Sequence, residues 1–223
     1  MNVAKRFTSP ARLRMIALCL GVASLAGALS ACAPLVIGGA MAGGAMVVTD
    51  RRTSGAQLED QGIELRATNR LREQLGERGN VSITSYNRQV LLTGEVTSED
   101  DKAKVEKIVA GVENVRAIVN ELAVLGASSL TQRSADTLTT GRVKAAMVDA
   151  RDLSANAFKV VTSRGTVYLL GRVTQREADR ATELTRNTSG VQRVVRVLEI
   201  ISEEDLARML PQPAPVKDAT PAK

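Results

Sequence analysis

Histidine and tryptophan are absent from this chain of 223 residues, which has only two phenylalanines, two tyrosines and two cysteines. Without histidine, the chain cannot form a Ser-His-Asp or Cys-His catalytic site or a histidine-ligated metal centre. Few aromatic residues are available for stacking on single-stranded nucleic acid bases. Carboxylate or lysine chemistry remains open, but no pattern singles it out. The sequence therefore predicts no catalytic residue, no cofactor and no metal ligand.

The amino terminus has the organisation of a bacterial secretory signal. Basic residues come first, followed by an apolar segment over residues 15–28 and by the small residues Ser30 and Ala31. The sequence Leu29-Ser30-Ala31-Cys32 resembles a lipobox, whose cysteine carries diacylglycerol, becomes the first residue after cleavage and is then N-acylated. We predict a lipoprotein signal peptide over residues 1–31 and lipidation at Cys32.

A signal anchor is the alternative, but the apolar segment is shorter than the about 20 residues that a membrane span needs. Cys19 lies inside the segment that cleavage would remove, so the mature chain would have no thiol for a disulfide or a zinc site. The full chain carries a net charge of +6 and four basic residues precede Cys32, which leaves +2. This near-neutral balance does not favour nucleic acid as a partner.

Two segments have a composition that does not predict a packed domain. Residues 32–58 begin with an apolar Gly/Ala run that turns polar at Asp50-Arg51-Arg52. We interpret them as the acylated N-terminus and a tether, and a glycine-zipper helix in the bilayer is the alternative. Four prolines between residues 211 and 221 predict a disordered tail over residues 202–223.

The remaining sequence repeats itself. Residues 90–97 (VLLTGEVT) return as residues 167–174 (VYLLGRVT), and residues 115–122 return as residues 191–198. An internal repeat of this length predicts two homologous modules in tandem. We place the first at residues 59–126 and the second at residues 127–201.

Each module has the pattern of a helix, a β-hairpin, a second helix and a last strand. The hairpin turns are predicted at Asn87-Arg88 and Arg164-Gly165. The second helices begin at Ser98, before three acidic residues, and at Thr174, whose capping-box partner would be Glu177. The acidic residues over 99–101 could also ligate calcium, but a helix N-terminus explains them better. The pattern predicts an α+β fold, with a three-stranded mixed sheet and two helices on one face of it in each module.

The repeated motifs resemble those of BON domains. They are the strand-end Val-x-Leu-x-Gly-x-Val at residues 90–96 and 167–173 and the Gly-Val-x-x-Val step at residues 190–194. In the first module Asn114 replaces the glycine of that step, and asparagine tolerates the left-handed conformation. With its lipobox, tether, two modules and tail, the chain resembles the dual BON-domain outer-membrane lipoproteins of the DolP family over essentially all of its mature length.

The resemblance implies a non-enzymatic protein anchored by lipid to the periplasmic face of the outer membrane, where it supports envelope integrity. Ala33 agrees with this location, because related bacteria use Asp after the acylated cysteine to retain lipoproteins at the inner membrane. The resemblance also implies that the first helix of the second module binds an anionic phospholipid, phosphatidylglycerol or cardiolipin, and so directs the protein to division sites. Outer-membrane assembly machinery is a further partner that it suggests.

The residues of that helix give an independent argument. Steps of 100° from Val143, placed toward the core, turn an apolar stripe outward with basic residues at its edges. We predict that this face contacts lipid through Leu138, Gly141, Arg142, Lys144, Ala145, Val148 and Arg151. In the first module the same construction from Leu71 turns Arg66, Asn69 and Glu73 outward, as on a solvated helix. Net charges of −2 over residues 60–125 and +4 over residues 135–201 also favour the second module.

Three alternatives stay open at this point. The apolar stripe could pack against the first module, since two domains need an interface. The same helix could bind a protein, which would make the chain an adaptor for outer-membrane assembly or peptidoglycan-remodelling machinery. An enzyme acting on lipid or glycan would need paired carboxylates in a cleft.

Overall fold

The computed structural model describes residues 50–76 and 79–209. The predicted signal peptide, Cys32, the first part of the tether and the end of the tail lie outside the described residues. Within them, two modules follow one another in the order α-β-β-α-β, and a short helix ends the second. The predicted α+β class and the tandem repeat are confirmed.

The first module builds its sheet around a central strand. Its elements are α1 (Ser54–Leu75), β1 (Gly79–Tyr86), β2 (Gln89–Val96), α2 (Glu99–Ala110), β3 (Ala117–Asn120) and β4 (Ala123–Val124). Strand β2 pairs antiparallel with β1 and parallel with β3 and β4, which form one interrupted edge strand. Both helices cover one face of this sheet, where Ile63, Val90, Leu92 and Val105 are fully buried.

The second module repeats this arrangement. Its elements are α3 (Leu130–Asp149), β5 (Phe158–Ser163), β6 (Thr166–Val173), α4 (Gln175–Arg186) and β7 (Arg193–Ile200), followed by α5 (Glu203–Met209). Strand β6 is central, antiparallel to β5 and parallel to β7. A 3₁₀ turn at Ala155–Ala157 precedes β5.

The structure differs from the sequence prediction at both ends of the modules. Helix α1 begins at Ser54, inside the range assigned to the tether, and the hydroxyl of Thr53 caps it by accepting from the Ala56 N–H. The predicted disorder from residue 202 is wrong for residues 203–209. These residues form α5, whose Leu206 is buried and whose first turn is capped by Ser202, because the prolines that dominate the composition of the tail begin only at Pro211.

Both hairpin turns have the predicted residues in the left-handed conformation. The φ angles are 49° and 68° at Asn87 and Arg88, and 51° and 72° at Arg164 and Gly165. An aspartate on the first helix of each module caps the turn. The Asp60 carboxylate accepts from the N–H groups of Asn87 and Arg88 at 2.7 Å, and Asp136 accepts from those of Arg164 and Gly165 at 2.8 and 2.9 Å. Asn114 has φ 66°, as its substitution for glycine requires.

The predicted helix starts are also confirmed. The Ser98 hydroxyl accepts from the Asp101 N–H at the start of α2, and Thr174 forms a capping box with Glu177 at the start of α4. Glu99, Asp100 and Asp101 occupy the first turn of α2, where negative charge complements the helix dipole.

The glycine of the repeated Val-x-Leu-x-Gly-x-Val motif is explained by close backbone approach. A Cβ atom on Gly94, which has φ 108°, would lie 1.9 Å from the Asn80 carbonyl oxygen. A Cβ atom on Gly171 would lie 2.4 Å from that of Ala157. Neither contact is possible for a real side chain, so any residue larger than glycine would separate the first two strands of the module.

We predict that Gly94→Ala lowers the free energy of unfolding by roughly 3 kcal/mol or more, because strain at positive φ adds to the clash. Gly141→Ala is the matched control. It lies in α3 with open space around its Cβ position, and alanine there should stabilise the chain by about 0.5–1 kcal/mol. Urea unfolding followed by circular dichroism measures both changes, and an unchanged midpoint for Gly94→Ala would contradict the explanation.

Candidate lipid-binding helix

The two sheets pack against each other through the faces that their own helices leave open. The buried side chains of this inter-module core come from both modules and are Tyr86, Leu91, Tyr168, Leu170 and Val197. The helices therefore lie on the outside of the described structure. Leu138 and Val148 of α3 are 60% and 70% exposed, so the alternative in which they pack against the first module is wrong.

Ion pairs surround the inter-module core, with acids from the first module and bases from the second. Lys159 contacts Glu64 at 3.0 Å, Arg164 contacts Glu95 at 3.5 Å, and Arg193 contacts Glu121 at 2.5 Å. Much of the charge difference between the modules therefore serves their association. The net charge of the second module alone does not identify a lipid surface.

The polar residues at the end of the predicted tether fasten the chain across the two modules. Arg51 donates to both Glu177 carboxylate oxygens at 2.7 Å and to the Arg172 carbonyl at 3.0 Å, and its side chain is only 8% exposed. Arg52 pairs with Asp60 at 2.7 Å and lies over the Tyr86 ring, 4.2 Å from its centroid. Arg51 and Arg52 therefore hold the start of α1 against both sheets.

The hydrogen bonds of two buried carboxylates outweigh the effect of burial on their pKa. Burial raises the pKa of Glu177. Hydrogen bonds donated by Arg51 and by the Thr174 N–H lower it by a larger amount, so the net shift is downward. Burial likewise raises the pKa of Asp60, and the Ser85 hydroxyl and the Arg88 N–H bring it below its ordinary value. Both groups are thus held in the ionised form and already have protein partners.

Helix α3 presents an uncharged stripe to the outside. Its fully buried side is formed by Val143 and Met147, and the predicted outward residues Leu138, Gly141, Ala145 and Val148 are all exposed. The stripe continues two turns toward the N-terminus through Ser134 and Leu130, which the same 100° steps from Val143 place outward. Leu130 is 81% exposed. This extension was not predicted, because the predicted stripe begins at Leu138.

Within the second module, basic residues without an acidic partner concentrate on this helix. Among the described residues 127–209, five basic side chains form no salt bridge, and they are Arg133, Arg142, Lys144, Arg151 and Arg186. Four of them lie on α3 or just after it, and all four are exposed. Arg142 is oriented by the Ser189 carbonyl at 3.5 Å. The available positive charge of the second module therefore flanks the uncharged stripe.

A depression of about 190 Å³ opens between α3 and β5, beside the predicted lipid contacts. Met147, Val148 and Phe158 give it an apolar lining and Lys144 lies at its rim. The sequence pattern contains no signal for this depression, because it depends on the distance between a helix and an edge strand.

The first helix of the first module differs from its predicted surface. Arg66 is half-buried and pairs with Glu59 at 2.7 Å, so its assignment to the outward face is wrong. Leu58 and Leu65 are 69% and 63% exposed instead. Exposed leucines thus occur on both helices. Cations without a salt bridge to a described residue also occur on both, but four of them lie on α3 or just after it, whereas α1 has two, Arg70 and Arg72.

No helix within residues 50–76 and 79–209 is long and apolar enough to cross a membrane. The same described residues contain no group of three or more acidic or thiol side chains placed to hold a metal ion. Their buried carboxylates accept hydrogen bonds from backbone N–H groups, hydroxyls or cations, as Asp136 does at the hairpin turn.

We predict that Arg51→Met lowers the free energy of unfolding by about 3–5 kcal/mol, because it leaves the buried Glu177 carboxylate without its cation. The exposed pair of Arg208 and Asp205 provides the control. Arg208→Met should change the free energy of unfolding by less than about 1 kcal/mol. The double variant Arg51→Met, Glu177→Met should recover much of the loss. Equal effects of the two single variants in urea unfolding would contradict this role.

The lowered pKa of Glu177 also predicts a pH dependence. The ion pair contributes its full stabilisation above the ordinary carboxylate pKa of 4.5, and this is lost as the pH falls through the lower value of the folded state. Below pH 4.5 the free energy of unfolding should therefore decline more steeply in the parent chain than in Glu177→Gln. Urea titrations between about pH 3 and 6 measure the two slopes, and parallel curves would refute the assignment.

Comparison with known proteins identifies the modules. The BON domain family model matches residues 60–126 and 135–202. The outer membrane lipoprotein DolP of Haemophilus influenzae is 38% identical over 192 residues, which cover 85% of this chain and 97% of that protein. The 21 kDa hemolysin of Actinobacillus pleuropneumoniae is 30% identical over 154 residues, 68% of this chain and 79% of that protein.

A more distant relative is the osmotically-inducible protein Y of Escherichia coli, 30% identical over 118 residues, 52% of this chain and 59% of that protein. The resemblance seen in the sequence is confirmed by two BON modules in the predicted order and by the extent and identity of the match to DolP. This chain belongs to the DolP family of dual BON-domain proteins.

Proposed function

We propose that the chain is a non-enzymatic outer-membrane lipoprotein, anchored through Cys32 on the periplasmic side, whose helix α3 binds anionic phospholipid. Phosphatidylglycerol and cardiolipin are the candidate lipids. The observation that carries the proposal is the set of unpaired cations, Arg133, Arg142, Lys144 and Arg151, along the exposed uncharged stripe of α3. The lipoprotein name of the Haemophilus relative supports the location.

The geometry of α3 suits a helix lying in the plane of a membrane surface. An interfacial helix needs an apolar face toward the acyl chains and basic residues at its edges, where they reach the headgroups. Leu138 and Val148 provide large apolar side chains, and Gly141 and Ala145 let the helix approach closely. The depression beside Lys144 and Val148 could receive part of an acyl chain.

The expected strength of this contact fits positioning rather than anchoring. Each basic residue near an anionic membrane surface contributes about 1 kcal/mol, and each buried CH₂ of the acyl chains at Cys32 about 0.8 kcal/mol. The acyl chains therefore hold the protein at the membrane without α3. Contact through α3 would bias an already anchored protein toward regions rich in anionic lipid, such as division sites, and envelope integrity would depend on its arrival there.

We predict that the chain from residue 32 onward, with Cys32→Ser to prevent acylation, floats with phosphatidylglycerol vesicles and not with phosphatidylcholine vesicles. Arg142→Glu with Lys144→Glu should abolish flotation, because the double change reverses charge beside the stripe. Lys107→Glu with Arg116→Glu changes the net charge equally on the first module, where both residues are exposed, and should leave flotation intact.

A second pair of variants tests the apolar contact. Leu138→Asp should reduce flotation at least about 10-fold, whereas Leu65→Asp, at a leucine of similar exposure on α1, should have little effect. If the intact chain does not float, the lipid proposal fails. If it floats and the α1 and α3 variants behave alike, α3 is not the element that binds.

A further inference from the structure

The first module has an open groove between α1 and the edge strand β1, on the opposite side of the sheet from the second module. Its volume is about 370 Å³. The apolar side chains that line it are Leu71, Leu75, Val81 and Ile83, and Arg72 lies at its rim. Arg72 is exposed and forms no salt bridge with a described residue.

In the second module the equivalent groove is partly covered, which leaves only the depression of about 190 Å³ between α3 and β5. Strand pairing aligns Val81 with Phe158, since each lies opposite the motif glycine of its module, and Ile83 with Val160. Phe158 and Val160 are 7% and 6% exposed, and Leu153 and Ala155 from the connection before β5 pack against their core. The connection before β1 consists of residues 76–78 only, so Val81 and Ile83 remain partly exposed.

The edge of β1 beside the groove also has backbone groups that no residue within 50–76 and 79–209 pairs. Tyr86 and Gln89 flank the two-residue turn and form a hydrogen-bonded pair of the ladder. Hydrogen-bonded and non-hydrogen-bonded pairs alternate along antiparallel strands. The N–H and C=O groups of Gly79, Val81 and Ile83 therefore point away from β2. Ser85 has the same orientation, and both of its groups are occupied. Its N–H donates to Glu64 at 2.7 Å and its carbonyl accepts from Lys159 at 3.3 Å.

One end of this edge is therefore blocked by side chains and the other is open beside an apolar groove. Proteins commonly protect edge strands with charged residues such as lysine, as Lys159 does here. No described residue protects the segment from Gly79 to Ile83. An acyl chain could fill the apolar floor, but it would leave the N–H and C=O groups of the edge without partners.

We propose that this groove binds an extended peptide segment of a partner protein, which adds as a strand to β1 at Gly79–Ile83. The peptide would place apolar side chains against Leu71 and Leu75, as Leu153 and Ala155 do within the second module. A carboxylate on the peptide would meet Arg72. Main-chain hydrogen bonds supply the affinity in this mode of recognition, and the groove and Arg72 supply the specificity.

The test uses a phage-displayed random 12-residue library selected on the Cys32→Ser chain, followed by synthesis of the most enriched peptide. We expect that peptide to contain alternating apolar residues and a carboxylate. On titration it should shift the amide resonances of residues 79–83 and slow their hydrogen exchange. Arg72→Glu should weaken binding about 10-fold, the loss of one charge-assisted contact.

Two N-methylated forms of the peptide test the strand geometry without altering the protein. Methylation of the alternate N–H groups that face β1 should weaken binding more than about 10-fold, and methylation of the other set should leave it within about 3-fold. Val81→Pro removes an N–H group of the β1 edge that is not hydrogen-bonded to β2. This variant should weaken binding of the unmodified peptide as much as methylation of the first set does.

Several results would overturn the proposal. They are the absence of any enriched peptide, resonance shifts confined to α3 or α4, and equal binding of the two N-methylated forms. Shifts of residues 79–83 by lysophosphatidylglycerol micelles, without slowed exchange and without peptide competition, would assign the groove to lipid instead. Concentration-dependent self-association that Val81→Pro abolishes would assign it to a second copy of the chain.

Discussion

Each BON sheet has helices on only one of its faces, so its second face needs a cover, and in this chain the two modules cover each other. Tyr86 and Leu91 from the first sheet meet Tyr168, Leu170 and Val197 from the second. Burial of this apolar area is the main favourable contribution to their association. Because the sheets are turned inward, all the long helices are turned outward, and α3 is available to a membrane only for that reason.

Polar contacts then determine how the two sheets meet. The apolar patch is non-directional, whereas the bidentate contact of Arg51 with Glu177 and the pair of Arg164 with Glu95 allow few arrangements. Buried ion pairs of this kind contribute less to net stability than to geometry, since desolvation offsets much of their attraction. The cations of the second module therefore fall into two groups. Lys159, Arg164 and Arg193 pair with acids of the first module, whereas the cations of α3 are exposed and form no salt bridge with a described residue.

The sequence predicted the features that local chemistry determines. The turns at Asn87-Arg88 and Arg164-Gly165, the cap at Ser98 and the capping box at Thr174 each depend on residues within a few positions of one another. The outward stripe of α3 was predictable for the same reason, because helical periodicity is local. The predicted lipidation at Cys32 depends on a local motif too, and it remains a prediction.

The features that sequence reasoning missed depend on contacts between distant residues. Arg51 lies 126 positions before Glu177, and no local pattern connects them. Arg66 was placed on the solvated face because helical steps cannot show that Glu59 and the Glu113 carbonyl hold it against the surface. The depressions beside β1 and β5 depend on how closely the segment between helix and strand packs against the sheet, which no local sequence pattern encodes.

The back-to-back arrangement of the sheets also gives the molecule two opposite sides. Its order of layers is helices, sheet, sheet, helices, with neighbouring layers about 10 Å apart. If α3 rests on a membrane, helices α1 and α2 stand about 30 Å above that surface and face the aqueous compartment. A single small protein could then contact lipid on one side and remain accessible to proteins on the other, without any change in its conformation.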